Sequence, residues 1–196
     1  MTVIGVGGHY RAGKDVIAGR LIRAHGFTRI AFADCLKREV ERIFGKTLRA
    51  YASTVYGRGG AEMAHKLLWE IKDDVVRAML QEHGTELRRA EDPEYWIKAW
   101  KREVLTAGKR LIVAADVRFE NELDAVRSLG GWTILVRRPG FEGDSHVSEA
   151  LAEQPPKWDF VLENDGSIED LEAKTDDLMA SLGRWVHESA WVSAPE

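Results

Sequence analysis

The feature that most constrains this chain is a short apolar run, Val3 to Val6, that leads straight into Gly7-Gly8-His9-Tyr10-Arg11-Ala12-Gly13-Lys14. Consecutive backbone N–H groups in such a turn can converge on one anion, and a helix that follows presents its positive end to the same place. Gly8 and Gly13 give the backbone its freedom, Arg11 and Ala12 lie between them, and Lys14 supplies a mobile cation for the β and γ phosphates of a nucleotide. Ile17, Leu21 and Ile22 then recur at helical spacing until Gly26. Strand, glycine-rich turn and helix in that order specify a P-loop, and hence a nucleotide phosphate binder.

The rest of the chain continues the alternation. Phe27 to Phe32 reads as a second strand, after which Asp34 can cap a helix through about Phe44. From there to Gly108 nearly every signal is helical. Leu67, Leu68, Ile71, Val75 and Leu80 form an apolar stripe, Asp92-Pro93 has the pattern of a helix start, and Gly57 to Gly60 reads as a loop. Strands are expected at Leu111 to Ala115, Trp132 to Val136 and Phe160 to Leu162, with helices at Glu120 to Leu129 and Ile168 to Leu182. Such an order predicts an α/β fold of three layers, a parallel sheet covered on both faces, with residues 34–108 as a helical insertion able to hold a substrate. The last stretch, Trp185 to Glu196, has two tryptophans and no clear period, and suits packing across the core or a subunit contact.

At 196 residues, 44% of them hydrophobic, one substantial core and a single domain over residues 1–196 are expected. The net charge of -4 leaves no cationic excess for a polyphosphate backbone, which argues against a nucleic-acid partner. Cys35 is the one cysteine, so no intramolecular disulfide forms; no motif marks its thiol as reactive, and a reducing compartment fits. Val3 to Val6 is too short for a signal peptide, and no run approaches the roughly 18 apolar residues of a spanning helix. The chain is expected to be cytoplasmic, with no membrane partner. The six histidines show no metal-ligand spacing.

Two carboxylates bear on metal binding. Where the P-loop pattern has Ser or Thr as a Mg²⁺ ligand, this chain has Asp15 and then Val16. Either the loop no longer handles metal, or Asp15 reaches Mg²⁺ directly or through water. Asp116, at the end of an apolar strand, suits the second carboxylate of a Mg²⁺ site, or else a cap or turn aspartate. Arg118 would put a cation at the same sheet edge, where ligands bind in open α/β sheets, unless it makes a surface ion pair.

The segment GHYRAGKD from Gly8 to Asp15 resembles the deoxynucleoside monophosphate kinases of bacteriophages. The likeness continues through Phe32-Ala33-Asp34 with Leu36-Lys37, Gly84-Thr85-Glu86 with Arg88 or Arg89, Asp92-Pro93-Glu94-Tyr95-Trp96, Asp116-Val117-Arg118-Phe119-Glu120-Asn121-Glu122, His146 with Ser148 and Glu149, and Asn164-Asp165-Gly166. These pieces span about residues 3 to 175. In that family an aspartate after the lysine is usual, so Asp15 supports membership; Val16 departs from the frequent threonine.

The resemblance implies transfer of the γ-phosphoryl group of ATP to the 5'-phosphate of a deoxynucleoside monophosphate (dNMP), with Mg²⁺, in the host cytoplasm if the gene is a phage's. It implies that Gly8, Arg11, Ala12, Gly13, Lys14, Asp15, Val16 and Asn164 hold ATP, with Asp15 and Asp116 toward the metal. Lys37, Arg38 and Arg118 would hold the acceptor phosphate, with Asp116 and Glu122 nearby. Gly84, Thr85 and Trp96 would border the acceptor nucleoside, Trp96 as a flat apolar wall or as core packing. Glu122 would orient Arg118 or sit on a helix surface. Residues 137–153 have the composition of a lid, in which Arg137 and Arg138, with Lys14 and Arg118, would neutralise charge on the transferring group. A homodimer is implied by resemblance alone. The rival readings are another small P-loop kinase, such as one acting on dephospho-coenzyme A, and a non-catalytic nucleotide-binding protein.

Overall fold

The computed structural model describes residues 1–57, 60–71, 73–140 and 151–192, with side chains described as far as 183. Outside the described residues lie Arg58 and Gly59 of the expected loop, residues 141–150 of the expected lid with His146, Ser148 and Glu149, and the end of the tail, 193–196. The chain divides into two compact units, Met1–Arg29 with Lys109–Glu196, and Ile30–Gly108.

The first unit is built on five parallel strands in the order β2-β3-β1-β4-β5. They are β1 (Thr2–Gly7), β2 (Thr28–Arg29), β3 (Leu111–Val117), β4 (Trp132–Arg137) and β5 (Phe160–Glu163). The strand that feeds the glycine-rich turn is therefore the central one, buried from Val3 to Gly7. Side chains alternate across the sheet. Ile4, Val6, Val113, Ala115, Ile134 and Val136 pack on one face against Ile17, Ala18 and Leu21 of α1 (Lys14–His25) and Leu171 and Leu182 of α7 (Ile168–Val192). On the opposite face Gly5 admits Val126 of α6 (Glu120–Ser128), where an added Cβ would come within 3.0 Å. These are the three layers that the alternation of elements requires.

The second unit is all helical: α2 (Phe32–Tyr56), α3 (Ala61–Trp69), α4 (Asp74–Gln81), a π-helical segment Glu82–Arg89, and α5 (Tyr95–Thr106). Val40, Leu48 and Ala52 of α2 close a core with Ala64, Leu67, Leu68 and Val76. Trp100 of α5 is fully buried, stacks on Phe32 at 4.2 Å and donates its indole N–H to the Ile30 carbonyl at 2.9 Å. No helix among the described residues is long and apolar enough to cross a membrane.

Several boundaries differ from the sequence reading. β2 keeps only two residues, because Ala31 already flanks α2 and its N–H is taken by the Asp34 carboxylate at 3.0 Å. Asp34 thus caps from inside the first turn. α2 runs on past Phe44 and through Gly45, a residue that costs a helix about 1 kcal/mol relative to alanine, since Leu48 and Ala52 beyond it are core. The stripe from Leu67 to Leu80 is split between α3 and α4; Ile71 and Val75 are exposed, and Val76 is buried in their place. α5 starts two residues beyond Pro93, with Asp92 accepting from the Glu94 N–H at 3.0 Å. α7 continues past Leu182 to Val192.

Candidate active site

The glycine-rich turn leaves the C-terminal end of β1 and folds back through a bond from the Ala12 N–H to the His9 carbonyl at 3.1 Å. The Gly13 carbonyl then starts α1 by accepting from Val16 and Ile17. Gly8 and Gly13 have φ of 141° and 114°, a region that side chains disfavour. A Cβ would also lie 2.4 Å from the Val136 carbonyl at Gly8 and 2.8 Å from the Asn164 amide at Gly13, so neither position accepts alanine without a shift. Arg11, at φ 61°, is the one non-glycine with positive φ among the described residues. Backbone strain of this kind collects at ligand sites.

The Lys14 ammonium curls over the turn and donates to the Gly8 carbonyl at 2.7 Å and the His9 carbonyl at 2.6 Å. Asp15 is exposed in the first turn of α1, where the helix dipole favours a negative charge. Val16, at the position of the family's hydroxyl, is partly buried against the sheet core. Its side chain is a packing element, which accounts for a residue with no oxygen there.

Asn164 follows β5. Its backbone N–H donates to the Arg137 carbonyl at 2.7 Å, and its side-chain amide donates to the Ala12 carbonyl at 2.8 Å. Asn164 therefore grips the turn itself, a role that the resemblance, which implies only that Asn164 holds ATP, does not reveal. Arg137 and Arg138 are both exposed; Arg137 pairs with Glu163 at 3.3 Å, and Arg138 reaches the Arg11 carbonyl at 3.4 Å. Arg138 thus touches the loop directly.

Asp116 and Arg118 sit at the C-terminal end of β3, beside the end of β1. Between the pairs Gly5↔Ala114 and Gly7↔Val117, β1 advances two residues while β3 advances three. The extra residue is a bulge at Ala115-Asp116, and a bulge re-aims the side chain it carries. Strict alternation, which is all a sequence offers, does not reveal it. Glu122 is a correction: it lies at 2% exposure, not on a helix surface, and its carboxylate accepts from the backbone N–H groups of Arg118 at 2.7 Å and Phe119 at 3.2 Å. It fixes the backbone from which Arg118 projects and caps α6.

In the helical unit, Lys37 lies over the Trp69 ring at 5.2 Å, and Arg38 pairs with Glu103 of α5. Cys35 donates to the same Glu103 carboxylate at 3.3 Å, and Arg38 reaches the sulfur at 3.7 Å. Burial, then Glu103, pushes this thiol up to about 12, so it stays protonated. Gly84 and Thr85 fall in the π-helical segment, with Gly84 buried. Trp96 is a second correction: at 3% exposure it offers no open wall, and its indole N–H donates to the Gly84 carbonyl at 2.9 Å. The sequence reading also missed Glu39, which gathers residues up to 56 positions away; no local pattern announces such a partner.

The donor set for a metal suits Mg²⁺. No group of three His, Cys, Asp or Glu among the described residues could hold an ion by itself. Mg²⁺ keeps several waters and is typically held by one or two carboxylates together with substrate phosphates, so Asp15 and Asp116 are hard oxygen donors of the right kind and number.

The family model described as deoxynucleotide monophosphate kinase matches residues 46–175. A protein of Acanthamoeba polyphaga mimivirus, provisionally described as a deoxynucleotide monophosphate kinase, is 30% identical over 188 residues, covering 87% of this chain and 92% of that protein. The deoxynucleotide monophosphate kinase of Enterobacteria phage T4 is 34% identical over 113 residues, which cover 55% of this chain and 46% of that enzyme. Among solved structures, dephospho-CoA kinase from Campylobacter jejuni superposes with a TM-score of 0.51 at 14% identity, covering 94% of this chain and 98% of that one. At that identity the superposition speaks for the fold.

Proposed function

The chain belongs to the deoxynucleotide monophosphate kinase family, and from that premise we propose that it transfers the γ-phosphoryl group of ATP to the 5'-phosphate of a dNMP, giving dNDP and ADP. The observation that carries the reading is the turn from Gly8 to Lys14, with positive φ at Gly8, Arg11 and Gly13, gripped by Asn164 and followed by a helix N-terminus. The turn's N–H groups hold the donor phosphates. Lys14 exchanges the carbonyls of Gly8 and His9 for β- and γ-phosphate oxygens.

Asp15 and Asp116 would hold the Mg²⁺ that accompanies ATP, which when bound would supply positive charge against that of the phosphates. The acceptor phosphate is already an anion at neutral pH, so no general base is required, and catalysis reduces to alignment and charge neutralisation. Arg118, held at its backbone by Glu122, serves the acceptor phosphate. Arg138, in contact with the loop, and Arg137 take up charge on the transferring group. Gly84 and Thr85 border the nucleoside, with Trp96 behind them. The insertion 34–108 acts as the acceptor-binding part and 137–153 as the lid, and two copies form a homodimer.

The test is ADP release from ATP with Mg²⁺ against dNMPs, NMPs and dephospho-coenzyme A. Turnover with at least one dNMP, and none with dephospho-coenzyme A, is the expected result. Absence of turnover with every dNMP would remove the assignment, and ATP binding without turnover would favour a nucleotide sensor.

A further inference from the structure

Two unfavourable features and one close backbone approach meet at one turn of the helical unit. Glu82–Arg89 is a π-helix of eight residues, a conformation that seldom exceeds one turn and is frequent at functional sites. Within it His83 is buried, and its Nδ1 has no hydrogen-bond partner among the described residues. Next to it, the backbone of Gly84 approaches Leu36 of α2 so closely that a Cβ would meet the leucine at 2.7 Å. A buried polar atom without a partner costs stability, as does a helix wound at five residues per bond, so this segment is not shaped for stability alone.

What holds it is Glu39 of α2. Its Oε1 accepts from His83 Nε2 at 2.9 Å and Arg88 Nε at 2.8 Å, and its Oε2 accepts from the Tyr95 hydroxyl at 2.6 Å. His83 and Arg88 lie near the two ends of the π-helical segment, and Tyr95 opens α5. One carboxylate therefore ties both ends of the segment and the following helix to α2. Its side chain is 11% exposed. Burial alone would push it up, but the bonds from Tyr95, His83 and Arg88 outweigh burial and hold it below its ordinary value, so it is ionised at neutral pH. From the other side, Trp96 holds the Gly84 carbonyl. Gly84-Thr85 is thus fixed by polar contacts on both flanks.

We propose that Glu39 is a positioning residue for acceptor recognition: it holds the π-helical turn His83–Arg88, with Gly84 packed inside it, in the shape that presents Thr85 to the dNMP, and it has no part in ATP binding. The proposal rests on the reading of the chain as a dNMP kinase. A turn merely needed for folding would make Glu39 a stability residue, and its loss would then lower the melting temperature and the apparent kcat without a selective change in the KM for the dNMP. A positioning role separates them.

The experiment is steady-state kinetics of Glu39→Gln and Tyr95→Phe, varying the dNMP at saturating ATP and then ATP at saturating dNMP, with thermal melting of each variant. Glu39→Gln keeps the shape and removes the charge that matches Arg88. The expected result is a KM for the dNMP raised at least tenfold, with KM for ATP and kcat within about twofold of the parent. Tyr95→Phe, which leaves two of the three donors, should raise the same KM two- to fourfold. An unchanged KM for the dNMP in both variants overturns the proposal, as does a parallel loss of ATP affinity and kcat. If Glu39→Gln fails to fold, Tyr95→Phe decides. If the parent protein phosphorylates no dNMP, the functional reading has failed, an outcome visible before any variant is made.

Discussion

Replacing Asn164 by alanine separates two roles for the same residue. The side-chain amide donates to the Ala12 carbonyl at 2.8 Å, and Ala12 is 1% exposed, so the substitution deletes the bond and leaves a buried carbonyl short of that donor. A net hydrogen bond contributes about 0.5–1.5 kcal/mol, and a stranded buried acceptor adds to that, for a total of roughly 2 kcal/mol. The bond from the Asn164 backbone N–H to the Arg137 carbonyl is untouched, which limits the damage to the turn. For a chain of this size 1 kcal/mol corresponds to about 2–4 °C, so the nucleotide-free protein should melt roughly 4–8 °C lower. The turn would also lose order, and KM for ATP should rise more than KM for the dNMP. The assay is differential scanning fluorimetry without nucleotide, beside the two KM values. A variant that melts like the parent without nucleotide but has a raised KM for ATP would falsify the clamp and leave Asn164 as a direct ATP contact.

Lys14→Ala should cut turnover at least about a hundredfold, the scale of losing one transition-state donor, while circular dichroism shows a folded protein; a folded variant with normal turnover would refute the phosphate-site assignment. Cys35, its thiol held up to about 12 by burial and Glu103, should resist Ellman's reagent at pH 8 and react within minutes once unfolded in guanidinium; fast labelling of the native protein would contradict the geometry. Asp176 of α7 is held well below the ordinary carboxylate range by Arg20 of α1, at 2.5 and 2.9 Å, and by His25. A depressed folded value means that its stabilisation is complete above about pH 4, the unfolded value, and fades as pH falls toward the folded one. The melting temperatures of the parent and Asp176→Asn should therefore differ by a constant amount from pH 5 to 7 and converge below pH 4; a gap that widens in acid would reverse the sign.

The parts of this protein that the sequence determines are those controlled by neighbours in the chain. Val3 to Lys14 sets strand, turn and helix start through glycine conformation and backbone N–H direction, which a few consecutive residues control. Leu111 to Ala115 and Trp132 to Val136 declare buried strands because both faces must be apolar. The order of family motifs pointed to the family, and it is by type and spacing within them that Lys14, Asp15, Asp116 and Arg118 are proposed for the site. What tertiary structure alone decided depends on residues far apart in the chain. Asn164 and Ala12 are 152 positions apart and meet because β5 ends beside the turn. The bulge that re-aims Asp116 exists only in the register of β3 against β1. Trp96 reads as a flat wall or as core packing, and the fold decides for burial against Gly84; Glu39 looks like one charge among many on α2 until His83, Arg88 and Tyr95 close around it. Local rules specify backbone conformation and burial pattern, whereas a hydrogen bond between distant segments is chosen by the packing that brings them within 3 Å.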